Sequence, residues 1–192
     1  MRGQIDVQNQ MEALRQDIAR LRGQLEVQTN ELATVQRKQR ETYADIDSRV
    51  KRFEPTQVQL DGKTVAVDPA EKRNYEAALA QFRAGDFRAA QTAFQTLITQ
   101  NPDSAYAPNA MFWLGSAQFA QKDYKGAINT HQAFVTKFPD HPRVPDALLN
   151  QAYAQIESGD RKTARATLQN VIAKYGDSSA GQAARDRLAS LK

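Results

Sequence analysis

The feature that most constrains this chain is a period of 37 residues. Three segments superpose: Tyr75 to Ala110, Phe112 to Ala147 and Leu149 to Ala184. Ala80, Ala117 and Ala154 coincide, each followed by Gln, and so do Asp86, Asp123 and Asp160. Ala90, Ala127 and Ala164 match, as do Asp103, Asp140 and Asp177. A unit of this length cannot bury its apolar face alone, so successive units must stack on one another. Each one reads as two helical stretches of about fifteen residues, split at Ala84-Gly85-Asp86, Gln121-Lys122-Asp123 and Ser158-Gly159-Asp160. The Asp of each split is an N-cap for the second helix. The small residues Ala78, Gly115 and Ala152, with Ala90, Ala127 and Ala164, sit where paired helices approach closely. Pro102 and Pro139, with Gly176 in the third slot, stop the second helix. Ser178 to Leu191 then reads as one further helix, with Ala184, Leu188 and Leu191 on a face, which is the terminal cap a solenoid requires.

The N-terminal region has a different period. From Val7 to Phe53 there is no proline, and apolar residues step by three and four. Met11, Ile18, Leu25, Leu32, Ile46 and Phe53 fall at heptad position a, and Val7, Leu14, Leu21 and Val35 at d. Gln28, Gln39 and Thr42 interrupt the seam. So narrow an apolar stripe on a polar helix is poorly suited to a broad core and calls for copies of itself, the alternative being a long amphipathic helix folded back on its own C-terminal domain. Asp17 at g and Arg22 at the following e would attract each other between parallel chains. The composition leaves dimer and trimer open.

Between these regions, Glu54-Pro55 ends the helix. Val58-Gln59-Leu60 and Lys63-Thr64-Val65-Ala66-Val67 alternate around Asp61-Gly62, the signature of a two-residue type I′ hairpin. An isolated hairpin is marginal in water, so this one packs on the helical domain, pairs with another chain or stays a mobile linker. A docked or partly ordered linker is the expectation.

Composition removes several function classes. There is no cysteine, which excludes disulfides, thiolate metal sites and cysteine nucleophiles. The net charge of +4 is dispersed, with ten Lys/Arg against nine Asp/Glu in residues 1–54 and sixteen against thirteen in the rest. No block of like charge marks a nucleic-acid arm, so no nucleic-acid partner is expected. No apolar run approaches the length of a membrane span, and no direct membrane insertion is expected. The chain opens at Met1-Arg2-Gly3-Gln4 without an apolar leader, as expected of a cytosolic protein or of a piece of a longer precursor. Of the two histidines, His131 takes the slot of Phe94 and Leu168 in the other repeats, a packed position rather than a ligand; His141 lies in a loop ten residues away. No phosphate loop, nucleophile elbow or zinc motif is present. The expectation is a protein that is not an enzyme and has no cofactor and no metal.

Small–Ala–Pro spaced by twelve (Ala78, Ala90, Pro102; Gly115, Ala127, Pro139), with Trp113-Leu114-Gly115 and Asp123-Tyr124 between, resembles the tetratricopeptide (TPR) repeat with three extra residues per unit. That resemblance implies a concave face lined by the first helix of each unit: Lys72, Tyr75, Leu79 and Phe82; Asn109, Phe112, Ser116 and Phe119; Asp146, Leu149, Tyr153 and Ile156. The set is apolar and aromatic, suited to the apolar face of a helix or an extended segment. The fold expected is all-α: a parallel coiled coil over 1–54, a hairpin-like linker over 55–69, and a TPR-type α-solenoid over 70–192. Its three helix hairpins fall at about 70–104, 105–141 and 142–177, with a capping helix at 178–192.

The order of parts, a Gln-rich coiled coil, a linker and three long-spaced repeats, resembles the periplasmic coordinators of the Tol–Pal system of Gram-negative bacteria. The resemblance implies a homotrimer in the periplasm, made from a precursor with a signal peptide. It also implies binding to TolA and to the septal peptidoglycan synthesis machinery, coordinating outer-membrane constriction with wall synthesis. A cytosolic TPR co-chaperone or a secretion chaperone is the alternative.

Overall fold

The computed structural model of the chain describes residues 2–51 and 54–191, with side chains from Val7 onward; Phe53 lies outside the described residues. The chain divides into two compact units, Met1–Arg52 and Phe53–Lys192.

The first unit is one helix, α1 (Arg2–Lys51). At 1.5 Å per residue its 50 residues extend about 75 Å. Every seam residue from Val7 to Ile46 is exposed, from Ile18 at 45% to Leu25 at 65%. The polar positions satisfy themselves along the helix. Arg20 donates to Asp17 at 2.9 Å, Lys51 pairs with Asp47 at 3.0 Å, and the Thr42 hydroxyl, at a seam position, donates to the Lys38 carbonyl at 2.9 Å. Asp17 thus has a partner one turn away on its own helix, which competes with any interchain pairing to Arg22. Among the described residues no helix is long and apolar enough to cross a membrane.

The second unit begins with β1 (Thr56–Leu60) and β2 (Lys63–Val67), paired antiparallel with Leu60 opposite Lys63. Asp61 and Gly62 have φ of 50° and 81°, the two positive values that a type I′ turn demands. The hairpin is docked. Val67 is buried, and Val58, Leu60 and Val65 pack with it into the core formed by Tyr75 and Ala78 of the first repeat and Tyr106 at the start of the second.

Three helix pairs follow: α2 (Pro69–Arg83) with α3 (Phe87–Gln100), α4 (Ala107–Ala120) with α5 (Tyr124–Lys137), and α6 (Val144–Glu157) with α7 (Arg161–Tyr175); α8 (Ser179–Ser190) closes the stack. The fold is all-α apart from the hairpin. Asp86, Asp123 and Asp160 cap the second helices by accepting from Ala89, Gly126 and Thr163 N–H groups at 3.1, 3.0 and 3.0 Å. Pro69, Pro108 and Pro145 stand in the first turns of α2, α4 and α6, where no intrahelical N–H bond is lost. The five alanines at 78, 90, 127, 152 and 164 are fully buried, which lets the paired helices touch. Two linked cores result. The hairpin, the first repeat and the start of the second share one, the second and third repeats with α8 share the other, and Trp113 packs against both.

A repeated polar bridge ties helix to helix. The Thr130 hydroxyl donates to Gln118 Oε1 at 2.7 Å, and 37 residues on Thr167 donates to Gln155 Oε1 at 2.9 Å. In the first repeat the threonine slot is Ala93, and buried Gln81 Oε1 has no partner among the described residues.

Candidate functional site

The second unit contains an open cleft of about 660 Å³, a size that suits a few bound side chains. Its wall is aromatic because helical spacing on α4 puts Phe112, Ser116 and Phe119 on one face, while Phe82 and Phe87 approach from the first repeat and Tyr153 from α6. Phe82 and Trp113 pack with ring centroids 5.0 Å apart. The charged side chains among the cleft's lining residues are Arg83 and Arg143. The Arg143 guanidinium lies 4.9 Å from the centre of the Phe112 ring and 5.4 Å from that of Trp113. This cation–π contact holds it against the wall.

The first-helix positions expected to form one concave strip divide between two environments. Phe82, Phe112, Ser116, Phe119 and Tyr153 line the cleft, with Phe112 nearly buried as its floor. Tyr75, Leu79 and Asn109 lie on the hairpin side. Tyr75 is buried and stacked on Tyr106 at 4.5 Å, and Leu79 packs into the core that the hairpin valines share. Asn109 is buried, and its amide donates to Asp61 at the hairpin tip; His141 Nε2 lies 3.2 Å from the same carboxylate oxygen. Leu149 is buried in the second core, with Ile156 partly buried beside it. Lys72 reaches Glu76 on its own helix at 4.0 Å, and Asp146 lies in the first turn of α6. Burial raises the pKa of the Tyr75 hydroxyl, while the neighbouring Trp113 indole and the Arg143 and Arg83 charges oppose the rise.

Sequence reasoning did not select Trp113, Arg143 or Asn150. The period contains the missing signal. Arg143 stands 37 residues after Tyr106, and Phe112 stands 37 after Tyr75. The Tyr106–Tyr75 stack between the first and second repeats therefore returns as the Arg143–Phe112 contact between the second and third. Trp113 and Asn150 are likewise one period apart, on neighbouring first helices.

His131 is fully buried beneath the cleft floor, edge-on to Phe112 at 5.7 Å. Neither ring nitrogen has a hydrogen-bond partner among the described residues, and burial lowers its pKa to about 4, so the ring is neutral at pH 7. Gly115 makes room for it: a Cβ there would stand 2.7 Å from His131 Nε2. Among the described residues no group of three or more His, Cys, Asp or Glu side chains could hold a metal ion.

Comparison with known proteins follows this division. Residues 1–59 match the family described as TolA binding protein trimerisation, and residues 75–142 and 146–178 match tetratricopeptide repeat families. A cell division coordinator CpoB of Pseudomonas putida is 28% identical over 131 residues, covering 55% of this chain and 49% of that protein. The chain thus spans about half the length of the curated relatives it matches. Solved structures that share the repeat fold include the following two. The type III secretion chaperone SycD of Yersinia enterocolitica, in complex with a peptide of the translocator YopD, superposes with a TM-score of 0.53 at 18% identity, over 62% of this chain and 87% of that one. PcrH of Pseudomonas aeruginosa gives 0.52 at 20% identity, over 64% and 88%. At such identities the likeness is one of fold. The chain is a tetratricopeptide-repeat protein with an N-terminal trimerisation-like segment.

Proposed function

We propose that this chain is a non-catalytic, self-associating scaffold that holds an apolar segment of a partner protein in the cleft, in the manner of a chaperone-type TPR protein. The observation that carries this is the cleft itself, an open groove with an aromatic wall. The wall's aromatics are half-buried or buried, and the apolar surface they leave in the cleft suits the side chains of a bound segment. A related fold, that of SycD, is known with a translocator peptide bound, which supports the same use of the repeat unit here. Several chains joined through α1 would present several clefts at once, and avidity would then exceed the affinity of one cleft.

A second reading concerns the partner. The match of residues 1–59 to the TolA binding protein trimerisation family, and the 28% identity to a cell division coordinator, support a periplasmic Tol–Pal adaptor. On that reading TolA and the septal wall-synthesis machinery occupy the repeat unit. Titrating the soluble part of TolA into the full chain, followed by the fluorescence of Trp113, separates the two readings. Saturable binding that Phe119→Ala or Tyr153→Ala weakens by about 2 kcal/mol, roughly thirtyfold, assigns the cleft to TolA. Failure of TolA to bind leaves the chaperone-type reading. TolA binding that ignores both alanine variants places its site elsewhere.

A further inference from the structure

The cleft's charges specify its partner further than its aromatic wall does. Resting on the reading of the cleft as a segment-binding groove, we propose that it selects apolar, aromatic-rich segments that carry an acidic side chain, whose carboxylate is taken by Arg143 and Arg83.

Both charged residues of the lining are arginines, and no Asp or Glu lines the cleft with them. Among the described residues neither guanidinium pairs with a carboxylate, although six Lys or Arg side chains pair with carboxylates elsewhere. Arg143 is also restrained. Its guanidinium carbon lies over the Phe112 and Trp113 rings, and its Nε is buried without a hydrogen-bond partner. A guanidinium stacked on rings keeps its edge free for paired N–H···O bonds and loses little side-chain entropy in making them. Arg83, in the last turn of α2, is exposed at the rim and adds a second positive charge. A purely apolar segment would cover Arg143 and leave its donors desolvated. A basic segment would meet two like charges. An acidic residue set among apolar ones avoids both costs.

The test uses the sequence's single tryptophan, Trp113, which lies in the cleft wall and reports occupancy directly. A random 12-residue peptide display library is selected on the full chain, and enriched peptides are synthesised and titrated by Trp113 fluorescence. The expected peptides combine Phe, Leu or Trp with Asp or Glu. Replacing their acid by the amide should weaken binding roughly tenfold, and Arg143→Gln should do the same while abolishing the preference for the acid. Arg83→Gln, at an exposed position that leaves the fold intact, is the second variant and should reproduce the loss in smaller measure. Peptides that move Trp113 but carry no acid, or bind both arginine variants as they bind the parent, overturn the charge assignment and leave the groove standing. Enriched peptides that leave Trp113 unmoved, or a library that yields none, overturn the groove reading itself.

Discussion

On α1, Leu21 and Leu25 are 58% and 65% exposed, whereas Phe94 and Phe134 in the repeats are wholly buried. Both regions are helical and both have regular apolar spacing, so the difference lies in how wide the apolar face is and where its partner comes from. The heptad stripe of α1 is two positions in seven, too narrow to enclose anything, and its complement is another copy of itself. The repeat helices have apolar positions on more than one side, with Ala or Gly where two helices touch. Their complement is therefore the next helix of the same chain, in sequence order.

The comparison breaks most easily at α1. Replacing Leu21 and Leu25 by Asp puts charge into an apolar seam and should cost several kcal/mol per chain, on the order expected for unpaired buried charges. Self-association should be lost while the thermal unfolding of the repeat unit stays unchanged. A shift in both would mean that the two regions depend on each other for stability.

The next largest effect belongs to His131. Its pKa is about 4 in the folded protein against an ordinary value of 6.5, so between these values the unfolded chain binds more protons. Its contribution to stability is complete above pH 6.5 and falls as the pH drops from 6.5 towards 4, amounting to about 3 kcal/mol at most. His131→Leu copies the third repeat, where Leu168 fills this slot, and should remove that part of the pH dependence. Denaturant melts of both proteins at pH 7.5 and 4.5 check this; equal pH dependence in the two would contradict it.

A smaller change is expected at the hairpin tip. Asp61→Ala leaves the buried Asn109 amide without its acceptor and His141 without its neighbour, costing about 1–2 kcal/mol. Faster amide exchange over residues 56–67, with the protection of α5 to α8 retained, is the measurement. Smallest is a gain: Ala93→Thr supplies the hydroxyl that Gln81 lacks, and should add somewhat under about 1 kcal/mol to the repeat unit without touching assembly.

These residues also show what a sequence can and cannot disclose. The helix pairs, their Asp caps and the Asp61-Gly62 turn were legible because each is set by neighbours within a few positions. A docked hairpin was the expectation, but the residues that receive it were not legible. Asp61 finds Asn109 and His141 at separations of 48 and 80 residues, and no local pattern links them. At the cleft, the TPR resemblance reached Phe82, Phe112, Ser116, Phe119 and Tyr153. It also selected Tyr75, Leu79 and Asn109, which share the same helix face but end on the hairpin side. Arg143 escaped because it precedes a helix rather than lying on one, although the period places it in the slot of Tyr106.

The central claim is that assembly resides in the first unit and partner binding in the second. Sedimentation equilibrium of the full chain beside residues 55–192 tests it most directly. The account predicts a full chain at a multiple of its 21.5 kDa mass, with a trimer as the expected state, and a monomeric repeat unit. A monomeric full chain, or the same oligomer from both, would contradict it.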